Sequence, residues 1–151
     1  MFSSKVTRTT SLSKLKKSLK KVTIKVGLPK TTGATVHQDG EETVATIGMY
    51  NEFGTSSIPE RPFIRSTMQK EAKNIKKLFA KETKKILRGE QTPKNMMGIV
   101  GEYTSGQIKR TIVELKDPPN SDFTVAKKRS SNPLIDSGQM IQSITYEVAN
   151  D

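Results

Sequence analysis

Apolar residues recur along this chain at two periods, and each switch between them marks the edge of an element. In "SLSKLKKSLKK", Leu12, Leu15 and Leu19 fall at i, i+3 and i+7, which predicts a short basic amphipathic helix beginning near Ser11. Val22, Ile24 and Val26 then alternate with Thr23 and Lys25, a strand that Gly27 and Pro29 stop. "KTTGATVHQDGEE" is turn-rich, with Asp39-Gly40 as a hairpin tip. Beyond it "TVATIGMY" alternates through Val44, Ala45 and Ile47, and reads as a further strand over about 43–49.

After the loop "NEFGTSSIPERPF" the period lengthens. A long helix is predicted from about Pro62 to Arg88, with Pro62 in its first turn and Gly89 as its stop. Ile64, Met68, Ala72, Ile75, Phe79 and Ile86 form its apolar stripe. A second helix runs from Pro93 to about Leu115, with Thr92 as N-cap, although Gly98, Gly101 and Gly106 weaken it. Close packing against another element is the simplest reason for those glycines. Pro118-Pro119 forbids continuation. In "NPLIDSGQMIQSITYEV", Asp136 reads as the cap of a short helix with Gln139 at N3, and Ile144, Tyr146 and Val148 alternate as a closing strand. The pattern predicts an α+β domain over 22–151: three or four mostly antiparallel strands packed with two main helices. Residues 1–21 precede it as a basic arm or helix.

Composition changes this picture in one respect. Hydrophobic residues make up only 32% of the 151, below the roughly 45–50% of an average globular chain counted with Gly. Such a chain is expected to finish its core against copies of itself. The formal net charge is +11, unevenly placed: residues 1–30 hold nine Lys or Arg and no acid, and 61–88 hold ten against two. Lys70, Lys73, Lys77, Lys81, Lys84 and Arg88 recur every three or four residues, a basic edge about 27 Å long. That edge is either a solvated helix face or an electrostatic surface for phosphates or an acidic partner. Phe79, on the apolar stripe, is the helix's one aromatic beyond Phe63, so any nucleic-acid contact is expected to be non-specific and to the backbone alone.

Catalytic chemistry is hard to assemble from these residues. There is one histidine, His37, and no cysteine; Ser137 lies in no Gly-x-Ser-x-Gly elbow, and the carboxylates are scattered. No metal cluster, dinucleotide fingerprint or phosphate loop is legible, so neither enzymatic activity nor a cofactor is expected. No apolar run is long enough to span a membrane.

Two segments resemble one family. "YNEFGTSSIPERPFIRSTM" (50–68) and "PLIDSGQMIQSITYEV" (133–148), in this order and separated by a helical pair, are similar to the paired motifs of tail-completion and virion-morphogenesis (neck) proteins of long-tailed bacteriophages, the phage Mu type. Ser137 stands where Thr is commoner in that pattern, and 1–38 carries no part of it. The resemblance implies a structural virion protein of the neck or tail end, assembled in the cytoplasm of a bacterial host. It would form a homo-oligomeric ring around the DNA passage, beside connector or adaptor and tail terminator or tube proteins. Asn51, Glu52, Phe53, Gly54, Ile58, Pro59, Arg61, Pro62 and Phe63 are then the expected subunit or partner interface. Pro133, Leu134, Asp136, Ser137, Gly138 and Gln139 are the expected structural joint leading into the last strand. The alternative is a small basic nucleic-acid-binding module that uses the helix at 62–88.

Overall fold

A computed structural model describes Ser13, Lys16 and residues 22–38, 40–128 and 130–150. Of the predicted N-terminal helix, Ser13 and Lys16 are helical, and Leu12, Leu15 and Leu19 lie outside the described residues, as does Asp39. The fold is α+β and mostly helical. In chain order the elements are β1 (Val22–Gly27), α1 (Lys30–Gly33), α2 (Val44–Phe53), α3 (Phe63–Leu87), α4 (Pro93–Glu114), α5 (Asp122–Lys127), α6 (Gln139–Ser143) and β2 (Thr145–Asn150).

β1 and β2 pair antiparallel, with Ile24 opposite Val148 and Val26 opposite Tyr146. These are the alternating positions of the two predicted strands, so both faces fall as the period of two dictates. The strand expected at 43–49 is instead the helix α2. Thr43 caps it, its hydroxyl accepting from the Thr46 amide at 3.2 Å. Its buried positions are Val44, Gly48 and Glu52, spaced by four, and two of the three carry no apolar side chain. A short apolar alternation therefore masked a helical face whose marks are a glycine and a carboxylate. The described residues form a sheet of two strands, not three or four.

The two long helices begin where their prolines and caps predict. Thr92 Oγ1 accepts from the Asn95 amide at 3.2 Å with Pro93 in the first turn of α4, and Gly89 follows α3 with φ of 76°. α3 packs on α4, and α4 packs on both strands, so α4 is the element around which the domain is arranged. The core gathers Val44, Phe63, Ile108, Ile112, Leu134, Met140 and Ile144. The buried face of α3 is rotated from the apolar stripe: it runs through Phe63, Thr67, Glu71, Ile75 and Glu82, whereas Met68 is 44% exposed. Each buried polar group on that face has partners. Thr67 Oγ1 bonds the Phe63 carbonyl and the Thr111 hydroxyl, both at 2.6 Å. Glu71 accepts from Tyr103 and Asn74 at 2.7 Å, and Glu82 from Lys85 at 2.9 Å and Gln91 at 2.8 Å. Burial is tolerated because these hydrogen bonds replace the ones lost to water.

Candidate functional site

The segment 50–63 is held from inside by two buried charged residues. Glu52, at the end of α2, turns its carboxylate onto the start of α3, where it accepts from the amides of Ile64 at 2.8 Å and Arg65 at 2.9 Å. These amides have no intrahelical partner, and negative charge there also complements the helix dipole. Arg65 closes the unit by donating from Nε to Glu52 at 3.1 Å and from Nη2 to Glu60 at 2.6 Å. Between them Gly54, with φ of 72°, turns the chain, and the Thr55 hydroxyl accepts from the amides of Ser57 and Ile58 at 3.2 and 3.0 Å.

Arg61 is 2% exposed. Its guanidinium donates to the carbonyls of Pro118 (2.7 Å) and Pro119 (2.8 Å) and to the side-chain oxygens of Asn51 and Asn120, both at 3.1 Å. It thereby ties the 50–63 loop to the loop after α4. The acceptors are all neutral, and burial pulls the Arg61 pKa below its ordinary value. Within the expected interface, then, Glu52, Arg61 and Phe63 are buried framework. Phe53, at 62% exposed, and Pro59 face outward, while Asn51, Gly54, Ile58 and Pro62 are half-buried. The Arg65 guanidinium lies 4.9 Å from the centre of the Phe53 ring.

At the expected joint the chain bends and turns into α6, without the cap that the pattern predicts. α6 starts after Gly138, which has φ of 82°, and no side chain caps it, so Asp136 is not its N-cap and Gln139 is its first residue rather than N3. Ser137 takes the nearer role, its hydroxyl accepting from the Gln139 amide at 3.3 Å. Gln139 reaches away instead, accepting from the Gln38 amide at 3.1 Å and donating to the Val36 carbonyl at 3.0 Å. A left-handed glycine after a compact turn can open a helix without a cap, and the capping pattern in the sequence does not distinguish the two. The anchor that sequence reasoning missed is Asn132. Its amide nitrogen donates to the carbonyls of Ile112 and Val113 at 3.0 Å and approaches that of Leu115 at 3.4 Å, closing the C-terminus of α4. Its oxygen accepts from the Leu134 amide at 2.9 Å.

These two segments, far apart in sequence, face each other across one cleft of about 480 Å³. Asn51, Ile58, Pro59 and Arg61 line one side, and Pro133, Leu134, Asp136, Ser137, Gly138 and Gln139 the other, with His37, Ile47 and Met140 between. The loop after α4 contributes Lys128, whose ammonium donates to the carbonyls of Pro133 at 2.9 Å and Ile135 at 3.5 Å. Burial lowers the Lys128 pKa; the Asp136 carboxylate pulls it back up and the Arg61 charge pushes it further down.

The basic edge is exposed at all six positions, Lys70, Lys73, Lys77, Lys81, Lys84 and Arg88. Lys70 meets Glu114 at 3.5 Å and Arg88 meets Glu90 at 3.8 Å; among the described residues, the other four have no carboxylate within 4.0 Å. One feature of this edge was invisible in the sequence of α3 alone. Tyr103, from α4, joins Asn74, Lys77, Leu78 and Lys81 around a shallow groove of about 310 Å³. The hydrogen bond to Glu71 fixes its hydroxyl, raises the Tyr103 pKa, and with the bond from Asn74 lowers that of Glu71.

Among the described residues no cluster of three metal-ligating side chains forms, and no helix is long and apolar enough to cross a membrane. No family model, curated protein or solved structure matches the chain.

Proposed function

We propose that this chain is a structural protein of a tailed-phage virion, a subunit of a ring that joins or completes the head–tail junction around the DNA passage. It works without cofactor or catalysis, assembles in the bacterial cytoplasm, and contacts its own copies together with connector, adaptor, terminator or tube proteins. The observation that carries the reading is the shared cleft. The two segments that resemble neck-protein motifs both line it, and the buried residues Glu52, Arg61 and, just before the second segment, Asn132 hold that lining in place. A cleft with walls held this firmly suits attachment to a neighbour. Sedimentation and mass measurement of the purified protein, alone and in assembled particles, test it: a closed oligomer in both is expected. A protein that stays monomeric at all concentrations and is absent from particles would refute it.

A second reading has its own observation. Four lysines without a carboxylate within 4.0 Å among the described residues, two of them (Lys77 and Lys81) beside Tyr103, favour a nucleic-acid-binding module using α3. Replacing Lys73, Lys77 and Lys81 by Gln leaves the buried face of α3 untouched. It should flatten the dependence of log K on log salt by about 0.9 per lost phosphate contact. An unchanged salt slope makes the edge a solvated surface.

A further inference from the structure

The cleft holds two cations where an apolar recess would need none. Arg61 and Lys128 are both partly or wholly withdrawn from water, and both spend their donors on neutral oxygens. A guanidinium has five N–H groups and an ammonium three. Four of the five on Arg61 and two of the three on Lys128 are engaged, which leaves one donor on each. Among the described residues no carboxylate forms an ion pair with either within 4.0 Å. Burial disfavours the Lys128 charge, the Asp136 carboxylate on the same lining supports it and the Arg61 charge opposes it, so the cleft carries two cations against one acid. Two desolvated like charges beside one cavity are stabilised most by an anion placed between them. The rest of the lining is mixed: Asn51, Asn120 and Gln139 are polar, while Ile47, Ile58, Leu134 and Met140 supply an apolar part.

We propose that this cleft receives a single carboxylate carried on an extended peptide segment of a neighbouring protein, with the acid lodged at Arg61 and Lys128 and an adjoining aliphatic side chain against Ile58 and Leu134. The size of the cavity suits one or two side chains. Asp136 on the same lining repels every incoming acid, so one Asp or Glu balances the excess positive charge and an acidic run is disfavoured. That the segment belongs to a virion neighbour rests on the neck reading; the chemistry of the cleft does not.

The test is a titration of isotope-labelled full-length protein, read by backbone amide shifts. The probes are the capped peptide acetyl-Ala-Leu-Glu-Leu-Ala-amide, its Gln counterpart, and the oligonucleotide dT10. The Glu peptide should shift amides of 58–61, 120–128 and 134–139 and bind about tenfold more tightly than the Gln peptide. Lys128→Met should abolish that difference, and Asp136→Asn should tighten the Glu peptide; urea midpoints verify that both variants fold. Equal binding of the two peptides, shifts confined to α3, a Glu-over-Gln preference that survives Lys128→Met, or no tightening by Asp136→Asn would overturn the proposal. Tighter cleft binding by dT10 than by the Glu peptide would overturn it in favour of a nucleic-acid phosphate. The ring measurement is separate: a monomeric protein that still selects the Glu peptide sinks the neck reading and leaves this one standing.

Discussion

Gly101 and Gly106 lie on the same helix, five residues apart, and the same substitution should act on them with opposite signs. A Cβ built at Gly101 runs into the ring of Tyr146 and comes within 2.7 Å of Ile24 Cδ1, because α4 there presses on both strands at once. At Gly106 a Cβ meets nothing within 4 Å. In either place Gly→Ala gains up to about 1 kcal/mol of helix propensity. That gain stands alone at Gly106, so Gly106→Ala should be more stable than the parent by roughly that amount. At Gly101 it is opposed by overpacking, which costs about 1–3 kcal/mol. The ring atoms of Tyr146 sit between a strand and a helix and cannot swing aside as a flexible chain end could. Because the helix contribution cancels between the two variants, the stability gap between them, about 1–3 kcal/mol, measures the packing alone. Urea denaturation followed by circular dichroism reads it as a shift in midpoint at constant slope. If Gly101→Ala matches or exceeds Gly106→Ala, the close contact of α4 with the sheet is wrong.

Three other predictions probe the buried polar anchors. Glu52→Gln, which removes the charge that caps α3, should cost about 1–3 kcal/mol, whereas Glu60→Gln on the exposed side of Arg65 should cost less than about 1; similar values in urea titrations would contradict the cap. Asn132→Asp keeps the acceptor for Leu134 but sets a carboxylate against the last carbonyls of α4, so it should destabilise at least as much as Asn132→Ala, by about 1–3 kcal/mol; a milder Asp variant would show that those donors matter little. The carboxyl groups of Glu71 and Glu82 titrate below their ordinary value of 4.5, held down first by the hydrogen bonds from Asn74 and Lys85 respectively. A depressed carboxyl contributes its stability above the ordinary value and loses it as pH falls through the depressed one. The parent should therefore weaken below about pH 4.5, and Glu71→Gln with Glu82→Gln should flatten that fall in a pH series of urea midpoints, while an unchanged slope would assign the acid sensitivity elsewhere.

Which parts of this fold were legible follows from how each residue announces itself. β1, β2, α3 and α4 are long or strictly alternating, and prolines and caps at Pro62, Thr92 and Pro93 fix their starts within a residue or so. α2 was misread because burial there falls on Val44, Gly48 and Glu52, and a hydrophobicity pattern counts only the first. The same blindness rotated the stripe of α3: Thr67 and Glu71 are buried one place before the expected Met68 and Ala72, and Glu82 is buried where no stripe residue was expected. Asn132 gave no signal at all, since its role depends on the end of α4, twenty residues earlier. The cleft was half legible: the motif residues on its two walls were singled out, but that they face one another is a tertiary fact. Lys128, between Lys127 and Arg129, carries nothing in the sequence that sets it apart from its neighbours.

These polar anchors alter the argument drawn from composition. A chain with so few hydrophobic residues was expected to borrow its core from a neighbouring copy. Instead the interior admits Glu52, Arg61, Thr67, Glu71, Glu82, Thr104, Ser105 and Asn132, and among the described residues no buried side-chain polar atom lacks a partner. Each hydrogen bond contributes only about 1 kcal/mol net, but leaving any one of them unmade would cost more. The scarcity of apolar residues is thus met within the chain and no longer demands association. The case for a neighbour passes to residues that the fold leaves outside: Phe53 is 62% exposed and Phe123 69%, each with a cation beside its ring rather than a hydrophobic cover. An aromatic shielded only by Arg65 or Lys127 still has most of its apolar surface in water, and burying it against another protein would contribute about 25 cal/mol for each Å² removed. For a ring of the kind proposed, association would on this footing rest on particular surface residues, and substitutions there would abolish it without unfolding the chain.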